Sequence, residues 1–378
     1  MVPKEYYGRL FTEDQLPTDY YSEASTLESM VKNDNQLRCK RCFSPIEEEW
    51  QLPNGKHYCR ACIVFGRNQE GKQLYYFASK EADINFPVLK WSGKLTSYQA
   101  EVSEKLLKTY QQQKNSLVHA VTGAGKTEMI YKIVAYVLET KGRVAIASPR
   151  VDVCRELHIR LQRDFTCSIS LLHAESEPYD GSPLVIATTH QLLKFYQSFD
   201  LIIVDEVDAF PFVGNPMLNH AVKQAKKKTG QLIYLTATST VSLEEQVRVG
   251  VLEKHHLARR FHGNPLVIPQ FFWQGKLQQS LSKQKLPRPL LRQLKKQRKS
   301  KFPLLIFFPN IAMGERFTKI LQNYFPEEKI AFVSSKSEER SEMVKKFREQ
   351  DLTILVTTTI LERGVTFPKV DVFVCMAN

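Results

Sequence analysis

The run Ala120-Val121-Thr122-Gly123-Ala124-Gly125-Lys126-Thr127 decides the fold of this chain. It stands between an apolar strand, Ser116 to Ala120, and a helical pattern that runs from Lys126 to about Glu139. Gly123 and Gly125 let backbone N–H groups wrap phosphates with no Cβ in the way. Lys126 reaches the terminal phosphates, and the Thr127 hydroxyl is suited to hold Mg²⁺. Thr122 and Ala124 complete the loop, and the helix N-terminus adds its dipole. The strict pattern has Gly where this chain has Ala120. A Gly-rich turn with no ligand is the plainer reading, and it leaves the ordered set of motor-like segments further along the chain unexplained.

Working outward, short apolar runs recur as Val144–Ser148, Ser168–Leu172, Leu184–Thr188, Leu201–Val204 and Leu232–Thr236, with helical patterns between several of them. Such alternation predicts an α/β fold whose parallel sheet is covered on both faces. It restarts at Leu304–Phe308, Ile330–Val333, Leu352–Thr357 and Val370–Cys375, with helices expected near 311–323, 338–349 and 360–363, so a second α/β lobe is predicted. Between the lobes, Lys283 to Lys301 holds nine Lys/Arg and no acid. This run reads as a solvated linker, with an anion track as the sharper alternative. Lys223, Lys226, Lys227 and Lys228 are expected to end a helix and complement its dipole.

The domains are read as an N-terminal extension (1–36), a metal module (37–65), a β-rich connector (66–94), a first lobe (95–262), a basic interlobe linker (263–302) and a second lobe (303–378). The chain stops at Asn378, directly after a predicted strand, and is expected to be a piece of a longer protein. A length of 378 residues with 43% hydrophobic content argues against wholesale disorder. A net charge of +13 points to a polyanionic partner, nucleic acid or an anionic membrane surface. No apolar stretch reaches the roughly 18 residues of a transmembrane helix, and Met1 to Leu10 has no apolar core of a signal peptide. The chain is read as cytoplasmic.

Four of the seven Cys form two pairs, Cys39-x-x-Cys42 and Cys59-x-x-Cys62, sixteen residues apart. That spacing reads as a closed, structural four-thiolate Zn²⁺ site. The Pro53-Asn54-Gly55 turn suits a hairpin between the pairs, and His57 is read as a neighbour of the site rather than a ligand. Arg38, Lys40 and Arg41 around the first pair could meet nucleic acid or serve as plain surface charge.

The strand Leu201–Val204 delivers Asp205-Glu206-Val207-Asp208 to the carboxyl edge of the sheet, where ligands of open α/β sheets bind. There Asp205 would hold Mg²⁺, and Glu206 would orient and deprotonate an attacking water.

Together, the phosphate loop, Asp205–Asp208 and Thr236-Ala237-Thr238 resemble the motif order of superfamily 2 helicases. Gln99, in Leu95-Thr96-Ser97-Tyr98-Gln99, resembles the adenine-reading glutamine. Ser148-Pro149-Arg150 and Thr188-Thr189 stand where such helicases contact the nucleic-acid backbone. Phe307–Asn310 and Thr357-Thr358-Thr359-Ile360-Leu361-Glu362-Arg363-Gly364-Val365 resemble the fourth and fifth motifs. The resemblance covers about residues 95 to 378. It implies two RecA-like lobes, with Thr236, Thr238, Thr357 and Thr358 in DNA binding or coupling and Arg363 at the nucleotide. Each strand-end hydroxyl alone also fits plain helix capping.

A four-Cys module ahead of the first lobe, with Arg259-Arg260-Phe261-His262-Gly263 after it, looks like the ComFA family of competence helicases. The family implies a DNA-stimulated ATPase that helps to pull transforming single-stranded DNA into the cytosol. It also implies partners: a ComFC-type protein, DprA and the membrane DNA-uptake channel, with a peripheral place at the inner face of the membrane; whether the chain forms a homo-oligomer is not written in local motifs and stays open. No run of the sixth motif, which carries an arginine finger, occurs before Asn378. Without an arginine from elsewhere, the expectation is ATP binding with poor turnover. Two other readings stay open, a PriA-like replication-restart or repair helicase and a nucleotide-gated DNA-binding scaffold without catalysis.

Overall fold

The computed structural model describes residues 1–33, 36–84, 86–261, 268–273, 275, 277–358, 367, 369 and 370–375. The chain forms two compact units, Met1–Leu266 and Val267–Asn378.

The first unit begins with short strands. β1 (Leu10–Thr12) and β2 (Ser25–Glu28) flank β5 (Gln73–Tyr76) in an antiparallel sheet, while β3 (Met30–Asn33) and β4 (Gln36–Cys39) form a hairpin. Leu10–Thr12 and Ser25–Glu28 of the N-terminal extension thus share one sheet with Gln73–Tyr76 of the segment read as a connector. Strands of three or four residues are too short to show a period of two, which is why the sequence hides β1 to β4 and marks only β5, inside the β-rich connector. Aromatic packing holds this sheet: Tyr6 lies against Phe11, Tyr20 and Phe77.

Next come α1 (Ser97–Gln111), β6 (Asn115–Ala120), α2 (Lys126–Met129), α3 (Tyr131–Glu139), β7 (Val144–Ser148), α4 (Val151–Asp164), β8 (Ile169–Leu172) and β9 (Leu184–Thr188). The lobe is completed by β10 (Phe199–Val204), α5 (Pro216–Ala225), β11 (Lys226–Thr236), α6 (Val241–Arg248) and β12 (Leu252–Leu257). Among the described residues the sheet order is β12-β6-β11-β10-β7-β9-β8, with all neighbours parallel. Both faces are buried. Ala145, Ala147, Ile202 and Val204 pack on one side, and Val144, Ile146, Leu201 and Ile203 on the other.

Three local features differ from the sequence reading. The helix expected over 126–139 is two helices that meet at Ile130. Lys226, Lys227 and Lys228 open β11 rather than close α5, leaving Lys223 in the last turn of that helix. Lys226 Nζ donates to the Lys227 and Gly230 carbonyls at 2.8 Å, and Lys227 pairs with Asp200 at 2.8 Å. Leu252–Leu257 reads Leu-Glu-Lys-His-His-Leu, too polar to announce a strand, yet it pairs with β6 at the sheet edge.

The second unit comprises α7 (Leu277–Ser282), α8 (Arg288–Arg298), β13 (Leu304–Phe307), α9 (Ile311–Tyr324), β14 (Ile330–Val333), α10 (Arg340–Arg348), β15 (Ile354–Thr357) and β16 (Asp371–Val374). Its parallel sheet runs β14-β15-β13-β16. The helix expected near 360–363 lies outside the described residues. The basic run is not a solvated linker, because Leu286 and Leu294 are buried in the core of this unit with Leu304, Ile306 and Phe317. Among the described residues, no helix is long and apolar enough to cross a membrane.

The N-terminal sheet is hydrogen-bonded to the first lobe. Tyr196 N donates to the Gly8 carbonyl at 2.9 Å, and Gly8 N to the Phe77 carbonyl at 2.8 Å. Gly8 has φ +75°, and a Cβ there would meet the Ser198 side chain. Gly55 has φ +77° with nothing within 4 Å of a Cβ. Gly8→Ala is expected to cost about 2 kcal/mol or more, and Gly55→Ala about 1 kcal/mol. Equal losses in chemical denaturation would contradict this docking.

Candidate active site and metal centre

Because every strand of the first-lobe sheet is parallel, all of their carboxyl ends fall on one edge. The loop Thr122–Thr127 follows β6 there, Ser148–Arg150 follows β7, and Thr188–Thr189 spans the end of β9. Asp205–Asp208 follows β10, and Thr236–Thr238 follows β11. Residues spread over more than a hundred positions converge by topology alone.

The loop is tied to α1. Thr96 and Gln99 form a capping box, with Thr96 N donating to Gln99 Oε1 at 2.9 Å. The same Gln99 side chain donates from Nε2 to the Ala124 carbonyl at 2.8 Å. A Cβ at Gly125, where φ is +74°, would collide with that amide, so glycine is required twice over. Lys126 Nζ donates to the Ala120 carbonyl at 3.2 Å, within the loop that it serves.

Asp205 Oδ1 accepts the Glu206 amide at 2.9 Å, and Asp205 N donates to the Ala147 carbonyl at 2.8 Å. Burial pushes the Asp205 carboxyl above its ordinary range, and the charge of Lys126 opposes that shift. Glu206 has φ +53°, a left-handed conformation that costs a non-glycine residue about 1–2 kcal/mol. Glu206 Oε2 lies 3.7 Å from Arg150 Nε. Asp208 Oδ1 lies 2.8 Å from the Thr236 hydroxyl, which accepts the Thr238 amide at 2.9 Å. The acidic turn and the Thr236–Thr238 segment therefore form one bonded unit.

The side chains expected along nucleic acid divide by exposure. Ser148, Thr188, Thr189, Thr236, Thr357 and Thr358 are buried, while Thr238 is exposed and Arg150 partly so. Thr357 donates its hydroxyl to the Val333 carbonyl at 2.9 Å. Arg363 lies outside the described residues. Arg260 enters the sequence reading only as part of a family signature, yet its guanidinium lies about 3 Å from where a Gly123 Cβ would be. Phe261 N donates to the Gly123 carbonyl at 3.0 Å, which seats this segment on the loop.

Cys39, Cys42, Cys59 and Cys62 are buried, with their sulfurs within 4.8 Å of one another. Sulfur–sulfur distances are 3.7 Å for Cys39–Cys62, 3.5 Å for Cys42–Cys59 and 3.6 Å for Cys59–Cys62. A disulfide needs about 2.05 Å, whereas a Zn²⁺ tetrahedron with 2.3 Å bonds has edges of about 3.8 Å. The four thiols thus fit zinc. His57 is turned to Glu70, with Nδ1 3.0 Å from its carboxylate, and is not in the cluster.

Arg41 is not surface charge. It is fully buried and donates to Cys62 Sγ from Nε at 3.2 Å and from Nη2 at 3.1 Å. Nη2 also reaches the Cys62 carbonyl at 2.9 Å. Asn68 Nδ2 donates to Cys39 Sγ at 3.1 Å. Four thiolates and Zn²⁺ carry a net charge of −2, and the guanidinium offsets one unit of it inside the fold. The module is seated on the lobe by Phe43, stacked on His220 at 5.2 Å, and by Lys194 over the Phe65 ring at 5.5 Å.

Residues 92–241 match the family model "Type III restriction enzyme, res subunit", and residues 285–377 match "Helicase conserved C-terminal domain". The fold is also that of a solved structure of the yeast protein Dbp5 bound to RNA and ADP BeF3. The likeness has a TM-score of 0.52 and 16% identity, and covers 74% of this chain and 78% of that one. Two parallel-sheet lobes matched by these models define an ATP-hydrolysing helicase or translocase of superfamily 2. The chain is 56% identical to competence protein ComFA of Streptococcus pneumoniae, over 100% of this chain and 87% of that protein. It is 35% identical to competence protein ComFA of Bacillus subtilis, over 95% of this chain and 79% of that protein. The chain belongs to the ComFA family.

Arg41→Gln keeps hydrogen-bonding capacity and removes the charge. Release of Zn²⁺ to a chelating dye is expected to become about 10–100-fold easier. Release at the wild-type rate from a folded variant would show that the guanidinium plays no part in holding the metal.

Proposed function

We propose that this chain is an ATP-driven translocase on single-stranded DNA, working in the uptake of transforming DNA. The observation that carries the reading is the convergence of the phosphate loop and the acidic turn on one sheet edge, in a chain of the ComFA family. A net charge of +13 fits a polyanionic track.

Gly123, Ala124 and Gly125 present backbone amides to the phosphates, with Thr122 at the start of the loop. Lys126 neutralises charge on the terminal phosphates. Thr127 and Asp205 would hold Mg²⁺, which supplies further neutralisation of the triphosphate when bound. Glu206 orients the attacking water and takes its proton. Gln99, already bonded to the loop, reads the adenine edge, and Arg363 joins at the nucleotide. Cys39, Cys42, Cys59 and Cys62 would hold Zn²⁺ as a structural ion.

On the DNA side, Arg150 and Thr238 offer side chains. Ser148, Thr188, Thr189, Thr236, Thr357 and Thr358 shape the strand ends from which backbone groups reach phosphates. Contacts of this kind grip a strand without reading sequence. Partners under this reading are a ComFC-type protein, DprA, the membrane channel and further copies of the chain, with a cytoplasmic place against the membrane.

ATP turnover is expected to rise on adding single-stranded DNA and to fall about 100-fold or more in Lys126→Ala. A steady-state phosphate-release assay checks both. Turnover indifferent to DNA would overturn the translocase reading, and turnover indifferent to Lys126 would overturn the site.

A further inference from the structure

The helix α8 and its C-cap residue present Arg288, Arg292, Lys295, Lys296 and Lys299, at the first helical residue and then four, seven, eight and eleven positions on. At 3.6 residues per turn these positions share one face of about 100°. All five are exposed. The opposite face holds Leu294 and Gln297, both buried. Among the described residues, none of the five has a carboxylate at ion-pair distance, whereas neighbouring Arg298 is paired with Glu328 at 2.7 Å.

Local rules do not account for this stripe. Like charges three and four positions apart destabilise a helix by about 0.2–0.5 kcal/mol per pair, and the stripe contains several such pairs. Lys295, Lys296 and Lys299 complement the dipole at the C-terminal end, but Arg288 and Arg292 oppose it at the N-terminal end. The first turn has no acid, and the N-cap residue, Pro287, makes no side-chain cap bond. A helix that keeps an uncapped, self-repelling face is one whose surface answers to something other than stability.

Within the second unit, the stripe is separate from the strand end that carries Thr357 and Thr358. Gln297 Nε2 donates to Asp371 Oδ2 at 3.1 Å, and Asp371 pairs with Leu304 at the start of β13. The helix therefore ends at the amino edge of the second-lobe sheet, opposite the edge that carries Thr357. Eleven residues at 1.5 Å each give a cationic rail about 16 Å long.

We infer that this face of α8 is a second nucleic-acid contact, a rail for the phosphates of single-stranded DNA running away from the motif-bearing edge. The inference rests on the proposed DNA-translocase function. A strand backbone fits the rail because it offers regularly spaced anions and needs no apolar partner. A membrane surface fits less well, since membrane-lying helices present Trp, Phe or Leu beside their cations, and the leucines of α8 face the core of the unit.

The test uses the full chain carrying Arg288→Gln, Arg292→Gln, Lys295→Gln, Lys296→Gln and Lys299→Gln, beside Arg292→Gln with Lys296→Gln alone. Binding of fluorescent oligo(dT) is measured across a salt series. Each phosphate contact on a single strand contributes about 0.7 to the slope of log affinity against log salt. The fivefold variant is expected to lose about 2–3 from that slope and at least about tenfold in affinity near 0.1 M salt, with the double variant between it and wild type. The thermal midpoint should not fall, because self-repulsion is relieved, and DNA-free ATP turnover should not change. An unchanged slope in a folded variant overturns the rail. Unchanged oligo(dT) binding with lost sedimentation on phosphatidylserine vesicles overturns it in favour of a lipid surface. A wild-type chain that fails to bind oligo(dT) overturns the function on which the rail rests as well.

Discussion

The parallel direction of the strands is the constraint on which the rest of this molecule depends. Hydrogen bonding between β6, β11, β10 and β7 fixes their registers, and parallel pairing puts every carboxyl end on the same edge. An antiparallel neighbour would send one motif to the far side. Both faces of such a sheet must be covered, so the central strands are built around apolar runs, and Ile146, Ile202, Ile203 and Val204 have almost no exposed surface. The chemistry is then confined to the loops, where Lys126, Asp205, Glu206 and Thr236 are held by short bonds to backbone or to each other. The left-handed Glu206 follows within two residues of the buried strand β10, whose pairing on both sides fixes where the turn begins.

The N-terminal module extends this frame rather than hanging from it. Its sheet is bonded to the first lobe through Gly8 and Tyr196, and Ser79 donates to the Ser198 carbonyl at 3.0 Å. The four cysteines belong to the same buried cluster as Phe195, Phe199 and Leu218. Zinc binding would therefore stabilise the lobe as well as its own hairpin, since metal binding free energy is folding free energy where the site is absent from the unfolded chain. Arg41 works inside the module, its buried guanidinium shared between Cys62 Sγ and the Cys62, Phe65 and Gly66 carbonyls.

The sequence made the chemistry more legible than the packing. The phosphate loop, Asp205-Glu206-Val207-Asp208 and the two Cys pairs are readable because chemistry demands particular residues at short fixed spacing, and the long apolar strands because burial on both faces leaves them uninterrupted. In the N-terminal sheet the aromatic strand Gln73–Tyr76 is legible, while its partners Leu10–Thr12 and Ser25–Glu28 are hidden by their length of three or four residues. The strand Leu252–Leu257 is hidden by its charged and imidazole side chains, which an edge strand tolerates. Lys226–Lys228 looks like a helix end because three cations suit a dipole, and pairing with β10 decides otherwise. The burial of Arg41 is not readable, since its neighbours Arg38 and Lys40 have the same composition and different surroundings. Arg260 at Gly123 is a contact between residues more than a hundred positions apart, which motif spacing does not encode.

Directed movement along a single strand is the activity proposed for this chain. The most direct measurement tracks ATP-driven arrival at a fluorophore on one end of oligo(dT) of increasing length, in a stopped-flow instrument under single-turnover conditions. A lag that lengthens in proportion to oligonucleotide length for one labelled end, and not for the other, is the predicted result. An arrival time independent of length at both ends would contradict the account and describe a nucleotide-gated clamp instead.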